Sequence, residues 1–172
     1  WEFRGRAEVH TLSAVMCWAA CDRLAHIARH LGLEDRARLW TRRARRVHDT
    51  VCARGWSQAR GAFTATYGGR DLDASLLLLT QLRFLPNDDP RLRSTVHAIA
   101  DELARGGDFV LRYAHPDDFG APGTAFVVCA FWLIRALAAI GERERARAMF
   151  ERVLGWRNRF GLLSEDIDPA TG

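Results

Sequence analysis

At 172 residues the chain has the length of one domain with room for a sizeable core. Its 48% hydrophobic and 27% charged residues exclude a disordered segment. The net charge of +4 does not point to nucleic acid, because the arginines alternate with acids in GLEDRARLWTRRARR and GERERARAMFERV. That pattern describes a solvated, salt-bridged helix face, and no nucleic-acid-binding motif accompanies it. No apolar run reaches the ~20 residues that span a bilayer, so no membrane partner is expected.

In chain order, Thr11 is a candidate N-cap for a first helix that runs to about Leu31, where Gly32 ends it. A second helix is expected from Glu34 to near Arg54, with Ala37, Trp40, Ala44, Val47 and Val51 at amphipathic spacing. A third opens after Asp71 or Asp73 with ASLLLLTQL and stops before Pro86; both acids read as helix caps. The fourth takes Asp89 as cap and Pro90 as its first residue, then runs to Arg105. The fifth, TAFVVCAFWLIRALAAI, takes Thr124 as cap and ends at Gly141. The sixth, ERERARAMFERVL, reaches about Leu154, and no strand alternation is visible anywhere.

The six helices pair into three units, each an apolar helix, a tight turn, an Arg-rich amphipathic helix and a long loop. The turns fall near Gly32, Asn87 and Gly141, which gives a repeat of roughly 55 residues. Helices apolar all round must be buried all round. The fold class is therefore all-α, a single domain over residues 1–172, with three inner/outer hairpins forming half of an α/α toroid. The long loops, and WEFRGRAEVH before the first helix, should emerge on one face and carry the chemistry. Half a ring leaves apolar helix surface uncovered, so either self-association or a missing half of the barrel is expected to cover it.

The four cysteines, Cys17, Cys21, Cys52 and Cys129, sit in apolar helical patterns and read as buried small hydrophobes of a reducing, cytoplasmic protein. His26 and His30 share a helix face, but only Glu34, beyond Gly32, is near as a third ligand. No metal and no cofactor are expected.

Several motifs then converge. WEFRG followed by HTLSAVMCWAACDRLAHIARHLGL, LDASLLLL, LRYAHPDDFGAPGTAFVVCAFWLI and RNRFGLLSEDIDPATG together resemble glycoside hydrolase family 15, the glucoamylases and trehalases. The resemblance spans the whole chain in order. It implies part of an (α/α)6 barrel, its sixth to eleventh helices, and an inverting exo-acting hydrolase that releases glucose from the non-reducing end of an α-glucoside or α-glucan. In such enzymes one carboxylic acid protonates the leaving oxygen while a second carboxylate activates water. By the same resemblance Glu2 is the general acid. Its place between Trp1 and Phe3 would desolvate the carboxylate and raise its pKa.

The resemblance places the general base directly after the DPxTG motif, which is here Asp168 to Gly172, so that the base falls one residue beyond this chain. Glu165, Asp166 and Asp168 are read as belonging to the loop that positions the base. The fragment by itself is expected to be inactive. The resemblance also assigns sugar binding to Arg112, Tyr113 and Asp117 or Asp118, with Trp1 as an apolar platform and Arg4 toward sugar hydroxyls. Phe3 and Ala14 depart from acidic and Lys residues found in other members, which leaves starch and trehalose both open as substrates. The alternative reading is a catalytically silent helical module that binds carbohydrate or protein.

Overall fold

The computed structural model describes residues 7–117, 120–169 and 171. Among them are six α-helices. Helix α1 (Thr11–His30) and α2 (Glu34–Arg54) form the first hairpin. A 3-10 turn (Ala74–Leu77) leads into the short α3 (Leu78–Leu82), and α4 (Pro90–Leu103) completes the second. Helices α5 (Val127–Ala139) and α6 (Arg143–Gly155) form the third. The expected three hairpins are present, and α1, the α3 unit and α5 lie side by side as the inner row.

The three tight turns share one hydrogen-bond pattern. Leu33 donates to Ala28 O, Phe84 to Leu79 O and Glu142 to Leu137 O, at 2.8, 3.1 and 2.9 Å. Each is a bond closing back over the helix end around one left-handed residue, which satisfies carbonyls that the helix leaves open. Gly32 and Gly141 take that conformation, at φ 70° and 94°. In the second unit it falls on Arg83, φ 56°, and not near Asn87 as the repeat suggested. The turn forms earlier because Phe84 and Leu85, just past it, are buried: Phe84 packs edge-on against Trp18 at 5.1 Å.

The third helix is also shorter than the sequence implies. Asp73 caps it as expected, accepting from Ser75 N–H at 2.7 Å, but the Asp73 carbonyl accepts from Leu76, which winds the first turn as 3-10. Leu72, Leu76, Leu77 and Leu79 are buried on every side, as an all-apolar inner helix requires. Asp89 caps α4 with Pro90 at its first position, in agreement with the sequence.

Two caps and the absence of strands are corrected. Thr11 is the first helical residue of α1, not its cap, and Thr124 lies outside α5. Ala125 and Phe126, expected to be helical, are strand β5, paired antiparallel with β6 (Asp166–Ile167). Two further two-residue pairs, β1 (Trp56–Ser57) with β2 (Ala62–Phe63) and β3 (Ala104–Arg105) with β4 (Phe109–Val110), stiffen the first two loops.

The loops are joined to the inner helices by a repeated bond. Thr11 N–H donates to Ala65 O, Ala74 N–H to Arg112 O and Val127 N–H to Glu165 O, at 2.8, 2.8 and 2.9 Å. In each unit the first amide of the inner helix is held by the following loop. At α1 and α5 this bond meets the first amide where no side chain caps the helix, whereas the second unit has both the bond and the Asp73 cap. Gly55 ends α2 under this joint, where an added Cβ would meet Thr11 Cγ2 and Val51 O, each at 2.9 Å.

The inner row is not wholly covered. Helix α1 exposes Met16, Leu24 and Ile27, and Leu31 follows at its end. Cys17, expected to be buried, is exposed, whereas Cys129 is fully buried. None of the described helices is long and apolar enough to cross a membrane.

Two outcomes test this account. A left-handed L-residue costs roughly 1–2 kcal/mol that glycine avoids, so Arg83→Gly should stabilise the chain by about 0.5–1 kcal/mol in urea melts. Asp89 also accepts two side-chain bonds from Arg91, chiefly through which its pKa is lowered from 3.8. A lowered folded pKa means stability that is fully present above 3.8 and lost as pH falls through the folded value. Asp89→Ala should cost about 1–2 kcal/mol at pH 7, and the gap to wild type should close in melts run below pH 3.8.

Candidate active site

Among the described residues, the loop face gathers a cluster of polar and aromatic side chains at the second of the three joints. The joint positions are occupied by Ala65, Arg112 and Glu165 on the loop side, and by His10, Asp73 and Phe126 just before the inner helices. The cluster forms around Arg112 and Asp73. Tyr113 bridges to Asp73 through the backbone, so the Arg112–Tyr113 pair is fixed against the start of the inner helix.

Tyr113 is 3% exposed, and its hydroxyl donates a short hydrogen bond to Asp117 Oδ2. His115 stacks on the Tyr113 ring, centroids 4.7 Å apart. Burial, followed by the bond to Asp117, pushes the Tyr113 phenol up to about 12. Asp117 exchanges backbone hydrogen bonds with Gly120, whose φ of 99° suits a residue without a side chain.

The Arg112 guanidinium lies 5.8 Å from the centroids of both Tyr113 and Phe126. Among the described residues its Nε is buried without a hydrogen-bond partner. Beneath it, burial, and then the charge of Asp73, pushes the Cys129 thiol up to about 12, so this cysteine stays protonated and inert. The last loop closes one side: β6 pairs Asp166 with Phe126, and an open depression of about 620 Å³ lies there, lined by Trp156, Ser164, Asp166 and Asp168 among others.

The structure thus brings together Arg112, Tyr113 and Asp117, three of the residues singled out from the sequence. Trp1, Glu2, Arg4 and Asp118 lie outside the described residues. Phe126 turns out to be the aromatic at the start of the fifth element that reaches the cluster. Asp73 and His115 were missed as neighbours of Arg112. Asp73 was legible only as a cap, because its second role depends on a loop far along the chain. A guanidinium with an open Nε–H, a carboxylate and flanking rings can bind adjacent hydroxyls and the apolar face of a sugar. No group of three His, Cys, Asp or Glu among the described residues could hold a metal ion.

A half-ring of helical hairpins with such a cluster on its loop face is the architecture of an (α/α)6 glycosidase. The family model "Glycosyl hydrolases family 15" matches residues 1–172, and the chain belongs to that family. It is 45% identical over 175 residues to a trehalase of Mycobacterium tuberculosis and 46% identical over 176 residues to one of Mycolicibacterium smegmatis. A trehalase of Thermoplasma acidophilum is 35% identical over 172 residues. Each match covers 100% of this chain, which spans only 25%, 26% and 30% of those proteins.

In fold, the chain resembles a wild-type glycosidase with a TM-score of 0.81 at 21% identity, covering 93% of this chain and 42% of that one. A variant glycosidase solved in complex with glucose gives 0.81 at 20%, again covering 93% and 42%.

The site geometry makes one spectroscopic prediction. Tyr67 and Tyr113 are the only tyrosines, so in Tyr67→Phe the phenolate absorbance near 295 nm reports Tyr113 alone. Its midpoint should fall at about 12, and Asp117→Asn should bring it down toward 10.

Proposed function

We propose that this chain is part of an inverting, exo-acting α-glucoside hydrolase of trehalase type, releasing glucose from a non-reducing end. The observation that carries the reading is the 45–46% identity to two mycobacterial trehalases along the entire chain. The cluster around Arg112 is consistent with it in chemistry: a buried donor beside Tyr113 and Asp117 suits the paired hydroxyls of a terminal glucose. Asp118, Trp1 and Arg4 complete the sugar contacts in this reading, with no cofactor.

Glu2 is the general acid, and the general base follows Gly172. Glu165 and Asp166 support rather than replace that base in this reading: they precede it, in the loop that the third joint ties to Val127 and Phe126. Four cysteines free of disulfides suit a reducing, cytoplasmic location.

The test uses the protein extended past Gly172. A positioned acid contributes about 10²–10⁴-fold, so Glu2→Gln should lose that much turnover on trehalose while glucose still binds. Proton NMR of the first products from trehalose should show one β-glucose, from the ring attacked by water, for each α-glucose, the leaving ring. Near-normal turnover by the variant would remove Glu2 from the mechanism, and α-glucose alone, with no initial β anomer, would remove inversion.

A further inference from the structure

Past the second joint the chain runs Tyr113, Ala114, His115, Pro116, Asp117, and its burial alternates. Tyr113 is buried and His115 and Asp117 are half-buried, whereas Ala114 and Pro116 are exposed. The stretch belongs to no helix and no strand. Backbone bonds pin its two ends: Tyr113 bridges to Asp73, and Asp117 exchanges bonds with Gly120 at 3.0 and 3.1 Å. Between these pins the chain bends at Ala114 and His115, and Pro116 has no amide with which to hold the bend.

Two side-chain contacts cross that bend, and both fall on Tyr113. His115 stacks on the ring, with centroids 4.7 Å apart and planes 29° from parallel. The hydroxyl at the tip of the ring donates to Asp117 Oδ2. A phenol reaches a partner only where its ring points, and packing on the ring's face sets that direction. The Asp117 carboxylate, carried on a loop, in turn takes its place from the hydroxyl that holds it. A carboxylate accepts about four hydrogen bonds, so the one from Tyr113 leaves capacity for a sugar hydroxyl. The Arg112 guanidinium lies 5.8 Å from the centroid of the same ring. One ring therefore sets the spacing between a cationic donor and an anionic acceptor.

We propose that His115 is a positioning residue: by stacking on Tyr113 it aims the phenol that holds Asp117, and so fixes the carboxylate–guanidinium spacing that a terminal glucose meets. This role rests on the reading of the Arg112 cluster as a sugar site. His115 acts through Tyr113 and needs no contact with substrate.

The test measures glucose affinity by calorimetry, and trehalose kinetics, on the full-length protein. His115→Ala should weaken glucose about tenfold, the size expected when a hydrogen bond to a charged group is lost. KM for trehalose should rise by a similar factor while kcat changes less than about threefold, because such a contact is made before and during the reaction alike. His115→Phe, which keeps a flat ring over Tyr113, should recover most of the loss. Tyr113→Phe keeps the stack and removes only the hydroxyl, so it should match His115→Ala even if that variant folds poorly. In the His115→Ala/Asp117→Asn double variant the losses should not add, since one residue acts through the other.

Wild-type glucose affinity in His115→Ala would overturn the proposal. So would full additivity with Asp117→Asn, or a His115→Phe protein no better than His115→Ala. A wild type that binds no glucose would instead remove the sugar-site reading. The phenolate absorbance of Tyr113, taken as the difference from Tyr113→Phe, then decides the role of His115. Its midpoint should fall from about 12 toward 10 in His115→Ala, because burial and the Asp117 bond, which raise it, both depend on the stack. An unmoved midpoint would overturn the proposal.

Discussion

The structure depends on one repeated hydrogen bond: the first amide of each inner helix donates to a carbonyl of the loop that follows its hairpin. Thr11, Ala74 and Val127 make it to Ala65, Arg112 and Glu165. Such a bond contributes about 1 kcal/mol net, but leaving a buried helix amide unmet costs more. The more important consequence is positional. The bond ties each long loop to a rigid helix end, so the loop face is ordered without a sheet to support it. The short strand pair between Phe126 and Asp166 is an extension of the third joint rather than an independent element.

The same constraint places the chemistry. At the first joint the loop residue is Ala65, and at the third it is the acidic Glu165; only the second carries Arg112. Its carbonyl serves the fold while its side chain stays available. The Asp73 carboxylate caps the inner helix as its backbone bridges to Tyr113, so the helix cap and the candidate site share the same few residues. Burial of Tyr113 and its bond to Asp117 then hold the phenol neutral beside the guanidinium. A site assembled this way needs little of its own framework, because the helix ends already supply it.

Much of this was legible in advance, and the exceptions are informative. The α2 boundaries and the Asp89–Pro90 start follow from local periodicity and capping and came through unchanged. The start of the fifth helix did not, because Ala125 and Phe126 take their hydrogen bonds from the last loop. The middle turn also moved, since burial of Phe84 outweighs the cost of a left-handed Arg83. Cys17, Met16, Leu24, Ile27 and Leu31 resemble core in sequence, and only the structure shows them to be exposed in this chain. In the site, Arg112, Tyr113 and Asp117 could be picked out from their motif, whereas Asp73, His115 and Phe126 could not be recognised as their neighbours.

By itself the sequence determined the helices, their alternation between apolar and amphipathic, the threefold repeat and the family. These are written in spacings of three and four residues and in short motifs, which need no knowledge of distant partners. Tertiary structure alone decided which amides are satisfied by loops instead of caps, which helix faces stay uncovered, and which side chains surround Arg112. Those outcomes rest on contacts between segments dozens of residues apart, and local periodicity carries no record of where a distant carbonyl or ring will come to lie.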